Sequence, residues 1–346
     1  MALGSGQAGQ LGWGVESTPG TAVTPTKFAV INGPAKAGKL DITMVQGEGI
    51  NAGRLFPQEG RHVHTTKSVS GQFSTNLVSK GLGTLVRAML GASQSTPTVL
   101  TGSAYEYVAT PGDKQSAGSS LTIQQGVVRL DGTVNPYTWR GCKIPAWELS
   151  CSVDGIAELS VDFDGWDEVT ATALATASFP VTEQFTGVQM AVNIGGTPAT
   201  SSGKTSLTSP TALSGVKGVT VKGSDPMNTE RFYANAAGVK AEQVRNALAE
   251  YAVELDMDYL DRAVIYDLAA ANTSTALQIA WTGSLITGAH YNLFEITIPK
   301  VKFEIPDLDG DGADTTGQKV VAKVVEEQGS SHNTFQIRQV NTDTTL

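Results

Sequence analysis

Apolar and polar residues alternate with a period of two along most of the chain, and the spacing lengthens to that of a helix in two places. Leu40-Asp41-Ile42-Thr43-Met44 alternates strictly and predicts a strand. Val69 to Leu77 predicts another, with Val69, Phe73, Thr75 and Leu77 on one face and Gly71 between them. A helix is expected next, over Val78 to Leu90: Leu82, Leu85, Val86, Met89 and Leu90 recur at three- and four-residue steps, and Gly91 stands at the C-cap. Trp147, Leu149, Cys151 and Val153 then alternate with polar residues, as do Ala157, Leu159, Val161 and Phe163. A two-residue Asp154-Gly155 turn would mix the two faces. A three-residue loop keeps them apart and predicts Trp147 opposite Phe163, Leu149 opposite Val161 and Cys151 opposite Leu159. Val216 to Val221 and Tyr251 to Met257 read as strands. A second helix is expected over Asp258 to Ala271, with Leu260, Ala263, Val264 and Leu268 on one face. Phe294 to Ile305 reads as one long strand whose phase flips at Pro299-Lys300, which predicts a bulge there. Gln318 to Glu326 and Thr334 to Val340 close the set.

Between these elements the pattern fades. Residues 1 to 38 are rich in Gly and Pro and read as an extended arm, not a packed element. Residues 92 to 135 read as loop with short strands, and 195 to 215 are rich in Ser, Thr and Gly. The chain also looks duplicated. Ile42 and Met44 match Val219 and Val221, and Arg54-Leu55-Phe56 matches Arg231-Phe232-Tyr233, both 177 residues on; Phe73, Thr75 and Leu77 match Val253, Leu255 and Met257 after 180. The expected division is an arm at 1–38, a first unit at 39–175 and a second at 176–346.

The 346 residues carry 33 acidic and 24 basic side chains, for a net charge of -9. That balance argues against binding nucleic acid through its phosphates, which requires Lys and Arg to displace counterions, but not against proximity to DNA, since a wall that repels phosphate lets DNA slide; the charge alone decides nothing. No apolar run approaches the roughly 20 residues that cross a bilayer, so no membrane partner is expected. The first residues have no basic segment and no apolar core, so a cytoplasmic folding site is expected. Cys142 and Cys151 are then two buried free thiols; a disulfide is the competing reading.

The chemical motifs are weak. Gly33-Pro34-Ala35-Lys36-Ala37-Gly38-Lys39 imitates a phosphate loop, but Leu40 replaces the hydroxyl residue and a strand follows where a helix is needed. Gly203-Lys204-Thr205 has the right ending, but Pro198 stands in place of the first glycine. His62 and His64 share a strand face with no third ligand nearby, and Asp162 and Asp164 form a carboxylate pair common on polar faces. No catalytic residue and no cofactor is expected. Asp307-Leu308-Asp309-Gly310-Asp311-Gly312 matches the first half of a calcium loop, giving Asp307, Asp309 and Asp311 as candidate ligands. The twelfth position is Gln318 instead of an acid, and an Asp/Gly turn between strands competes with that reading.

Several segments together resemble the bacteriophage tail tube proteins of long-tailed phages. They are Gly14-Val15-Glu16-Ser17-Thr18-Pro19-Gly20-Thr21-Ala22, then Ser70-Gly71-Gln72-Phe73 leading into Gly81 to Gly91, the hairpin from Leu149 to Gly165, and Ile296-Thr297-Ile298-Pro299-Lys300-Val301. The resemblance implies a mainly β fold of two similar β-sandwich domains, each flanked by one helix, whose inner strands join a ring-wide β-barrel. It implies a structural virion protein of the tail, assembled in the host bacterial cytoplasm, that stacks as rings around a tape-measure protein and later passes DNA without binding it specifically. The arm and the loop from Gln46 to Thr66 would clamp adjacent rings. With two units per chain, a ring of three with pseudo-sixfold symmetry is favoured over a hexamer. A non-enzymatic binding module of a tail tip or cell surface, supported by calcium, is the alternative.

Overall fold

The computed structural model describes residues 4–33, 36–48, 53, 55–91, 96–115, 119–234, 236–309 and 316–346. The chain is mainly β. In the first half run β1 (Gly4–Val15), β2 (Lys27–Ala29), β3 (Gly38–Gln46), β4 (His62–Asn76), helix α1 (Gly83–Leu90), β5 (Thr98–Thr101), β6 (Ala104–Ala109), β7 (Leu121–Arg129), β8 (Val134–Cys142), β9 (Ala146–Ser152), β10 (Glu158–Gly165) and β11 (Asp167–Val169). The second half has β12 (Met190–Ile194), β13 (Thr197–Ser201), β14 (Lys204–Thr208), β15 (Thr211–Ala212), β16 (Val216–Ser224), β17 (Met227–Asn228), β18 (Val244–Arg245) and β19 (Glu250–Asp258). After these come α2 (Tyr266–Ala270), β20 (Thr275–Thr287), β21 (His290–Phe303), β22 (Asp307–Asp309), β23 (Gly317–Val324) and β24 (Gln336–Asn341).

Two strand orders each occur twice. One open array runs β21-β23-β19-β16 and continues directly into β9-β10-β4-β3. Ranked by position in the chain, both quartets read third, fourth, second, first. Likewise the five-stranded sheet β11-β8-β7-β1-β2 has the same rank order as β24-β21-β20-β12-β15. The halves meet where β16 pairs antiparallel with β9, from Gly218 opposite Ser152 to Ser224 opposite Ala146.

The core lies under one face of the array. Trp147, Leu149, Cys151, Leu159, Val161, Phe163, Val219, Val221, Val253 and Leu255 are all buried, each on the alternate positions of its strand. The five-stranded sheet packs onto the first quartet through Trp13 against Phe73, ring centroids 6.3 Å apart, and Trp139 against Phe163 at 5.5 Å. Helix α1 covers this layer, and its Thr84 hydroxyl accepts the Trp13 indole N–H at 2.8 Å. Gly91 ends the helix in the left-handed conformation, φ 72°, with its N–H on the Arg87 carbonyl.

Several expectations hold and several need correction. The phase flip in β21 is a bulge: between Leu277 opposite Ile298 and Thr275 opposite Val301, β21 uses three residues to β20's two. The 147–163 hairpin keeps the expected faces but not the expected register. Leu149 sits opposite Leu159, and Trp147 opposite Val161, two residues from the prediction. The reason is long-range: Val153 leaves the hairpin ladder and donates its N–H to Lys217 O, so the turn closes early, Gly155 N to Ser152 O. Residues 1–38 are not an unpacked arm. β1 pairs with β7 and β2, and Leu11 and Trp13 are fully buried. Residues 92–135 contain β7, a nine-residue strand whose first six residues are buried. The first helix starts at Gly83, after Val78 has bridged to Gln184. The second helix shrinks to five residues, because Asp258 still belongs to β19 and Leu260 is exposed. Ile305 lies beyond β21 and is exposed. No described helix is long and apolar enough to cross a membrane.

Candidate assembly surface

The face of the array opposite the core is polar. Glu148, Ser150 and Ser152 of β9, Glu158, Ser160 and Asp162 of β10, Thr220 and Lys222 of β16, Glu250, Glu254 and Asp256 of β19, and Lys319 and Lys323 of β23 alternate with the buried positions. Two depressions of about 690 and 570 Å³ cross this face; the first is bordered by Asp162, Glu148 and Glu250, the second by Glu158 and Asp256. Lys222 pairs with Glu254, Lys323 with Glu304 and Lys39 with Asp41, each at 2.6 Å. Among the described residues Glu148, Glu158, Asp162, Glu250 and Asp256 form no ion pair, so the face is negative. Partial burial pushes the Asp162 carboxyl up from its ordinary value, against a hydrogen bond from Gln72.

The array ends in two open strand edges. Among the described residues nothing pairs with the outer edge of β3. At the other end, β20 leaves β21 after Val301, and β23 occupies only one side of the chain from 302 to 309. Exposed apolar side chains collect at both edges: Met44 at 56% and Val45 at 46% on β3, Ile305 at 60% and Leu308 at 58% opposite. At the inner joint, Trp147, Leu149, Cys151, Val219 and Val221 are at most 4% exposed.

The connection from β16 to β19 folds back over the first half as a clasp. Lys240, buried, gives hydrogen bonds of 2.5 and 2.7 Å to the two carboxylate oxygens of Asp164. The Gln243 amide adds a third to Asp164 at 2.7 Å and one to its carbonyl at 2.8 Å. Burial nevertheless pushes the Asp164 carboxyl up, outweighing Lys240 and Gln243. Lys143, fully buried, reaches Glu242 at 2.6 Å and Gln243 O at 3.0 Å. Nearby, fully buried Asp225 takes Lys114 at 2.8 Å, Arg245 at 2.6 Å and the Tyr251 hydroxyl at 3.0 Å. Burial draws the Lys114 amine down to about 8 against the pull of Asp225.

Another buried carboxylate, Glu16, organises the Gly14–Ala22 segment. It accepts from Gly20 N at 2.7 Å, Ser120 Oγ at 2.6 Å, Thr122 Oγ1 at 2.8 Å and Gly141 N at 2.9 Å. Trp166 fits against both glycines, each at positive φ: a Cβ on Gly20 would lie 2.1 Å from its ring and one on Gly141 2.5 Å.

The residues singled out by sequence fall apart in space. Asp162 lies on the polar face while Asp164 is bound in the clasp. His62 and His64 are exposed on one face of β4. Asp307 and Asp309 are exposed in β22, and Asp311 lies outside the described residues. Among the described residues no group of three His, Cys, Asp or Glu side chains could hold a metal ion. Cys142 and Cys151 are buried and free, and burial pushes both thiols up. In the Gly33–Lys39 segment Pro34 and Ala35 lie outside the described residues, and Gly38 and Lys39 open a strand. The clasp gave no sequence signal, since Lys240 and Asp164 are 76 residues apart.

A sequence model of a family described as phage tail tube protein matches residues 6–323. No curated protein matches the chain.

Proposed function

The chain belongs to the phage tail tube protein family, and from that premise we propose that its copies close into rings that stack around a tape-measure protein and later let DNA through. As a member of that family it is a structural protein of the virion tail that associates with itself into a tube. The observation that carries the rest is the strand array. Two quartets of equal rank order lie side by side in one chain and leave open edges, among the described residues, along β3 at one end and along 302–309 at the other. Such edges invite further pairing, and closure into a ring removes them.

In this reading the chain holds two copies of one tube unit, divided near residue 175, and three chains complete a ring with pseudo-sixfold symmetry. Three arrays of eight strands make a wall of 24. At about 4.8 Å between strands and a tilt of about 40°, that wall has a backbone diameter of roughly 48 Å, which admits a B-form duplex past the side chains. The negative polar face lines the lumen and repels phosphate, so DNA passes without gripping the wall. Subunits assemble in the host cytoplasm. Negative-stain microscopy of the purified protein tests the reading. Ring averages with threefold symmetry and three chains are expected; sixfold rings of six chains would remove the trimer, and a monomer at every concentration would remove the tube.

A further inference from the structure

The inner joint of the chain serves as a pattern for the joint between chains. We propose that the outer edge of β3 in one copy pairs antiparallel with the outer edge of residues 302–309 in the next, as β16 pairs with β9 inside a copy. The proposal rests on the ring reading above and assigns its contact to named strands.

Three observations converge on these two edges. Direction fits first. Successive strands of the array are antiparallel, from β21 through β23, β19, β16, β9, β10 and β4 to β3. A second copy placed beyond β3 therefore presents its 302–309 segment in the antiparallel sense. Burial is the second. β16 holds the first rank in its quartet, as β3 does, and at its joint with β9 the apolar side chains are buried. Met44 and Val45 on one edge, and Ile305 and Leu308 on the other, are the exposed apolar residues that an equivalent joint would cover. Charge is the third. Lys39 and Asp41 on β3 and Lys302 and Glu304 on the far edge put both signs on each side, so neither edge repels its counterpart. Pro306 lacks an N–H, which an edge strand tolerates where that donor would point away from the ladder. The β3–β4 connection agrees as well. It occupies the place in its quartet that the clasp occupies in the second, and its Leu55 and Phe56 are 95% and 83% exposed.

Cross-linking tests the joint. Asp41→Cys and Glu304→Cys are combined in one chain and treated, after assembly, with a short bis-maleimide; buried Cys142 and Cys151 stay unreactive. The expected result is a ladder of covalent oligomers on denaturing gels, absent from either single variant. In parallel, Ile305→Lys on one edge and Met44→Lys on the other are each expected to abolish rings while the thermal melt of the subunit stays unchanged, since both side chains are exposed. Rings of the double-cysteine variant that give no ladder, or rings that survive both lysine variants, overturn the joint and leave the tube reading standing. A wild type that forms no rings overturns the reading beneath it as well.

Discussion

Replacing Lys240 by methionine isolates the clasp that ties the second half to the first. Methionine keeps the bulk and removes the charge, so the Asp164 carboxylate retains only the Gln243 amide at 2.7 Å. Removing one partner of a buried ion pair costs about 3–5 kcal/mol, because the other charge stays desolvated. Asp164 has an escape: burial already pushes its carboxyl up, so without Lys240 it takes a proton. Keeping a carboxyl with an ordinary value near 3.9 neutral at pH 7 costs about 4 kcal/mol, at about 1.4 kcal/mol per unit. The same protonation costs only about 1.5 kcal/mol at pH 5. Since a raised carboxyl loses stability as pH climbs, the gap between Lys240→Met and wild type should widen from pH 5 to pH 7. A loss of about 3 kcal/mol is expected at pH 7 and of about 1 kcal/mol at pH 5. Urea denaturation of the unassembled subunit at both pH values measures it, and protease cleavage within residues 225–249 reports release of the loop. The double variant Lys240→Met, Asp164→Asn should recover most of the loss, as it removes both charges of the pair. A loss below about 1 kcal/mol at pH 7, or one equal at both pH values, would refute this account of the clasp.

Other perturbations probe the joint, the acid response and the face. In Gly223→Ala the new Cβ would stand 2.3 Å from the Trp147 ring at the inner joint. Overpacking of that kind should cost about 1–3 kcal/mol and shift the tryptophan emission. Burial works to raise the Asp167 carboxyl, but Arg140 and Lys67 outweigh it and hold it below its ordinary value. Its contribution is present above the unfolded value near 3.9 and is lost as pH falls through the folded one, so Asp167→Asn should weaken the protein at pH 6 and the gap to wild type should close as the pH drops below the unfolded value, in acid titration followed by circular dichroism. Tubes carrying Glu148→Lys with Glu158→Lys should retain duplex DNA in a filter assay at low salt and release it as salt rises, whereas wild-type tubes retain none.

The strands of the array were legible because each is half buried, and alternation writes burial directly into sequence. Helix α1, its Gly91 cap and the bulge at Pro299-Lys300 were legible for similarly local reasons. The hairpin shows the limit of that code. Alternation fixes a register only modulo two, and the bond from Val153 to Lys217, made across the sheet, chose between the options. β1 was hidden by its glycines: a Cβ on Gly12 would lie 2.6 Å from the Phe28 ring, so an aromatic from another strand fills the apolar position. β7 was hidden by buried polar residues whose needs are met at long range, Gln124 by Thr138 and Ala173, Gln125 by the Ala37 N–H. The 177-residue match also misled in detail. Val219 stands opposite Leu255, but Ile42 stands opposite Lys67 instead of Thr75, so those matched residues do not share a rung. The polar face followed from alternation, whereas the clasp joins residues no local pattern connects.

Among the described residues the hairpins β5–β6 and β13–β14 have no counterparts in the opposite half. β6 is nevertheless stitched to β24, and Glu106 of β6 holds Lys204 at 3.0 Å and Arg338 at 2.5 Å. That corner therefore occurs once per polypeptide, not once per quartet of strands. An outside protein shaped to sit on it would find as many seats around a circumference as there are chains, and its binding stoichiometry would count them.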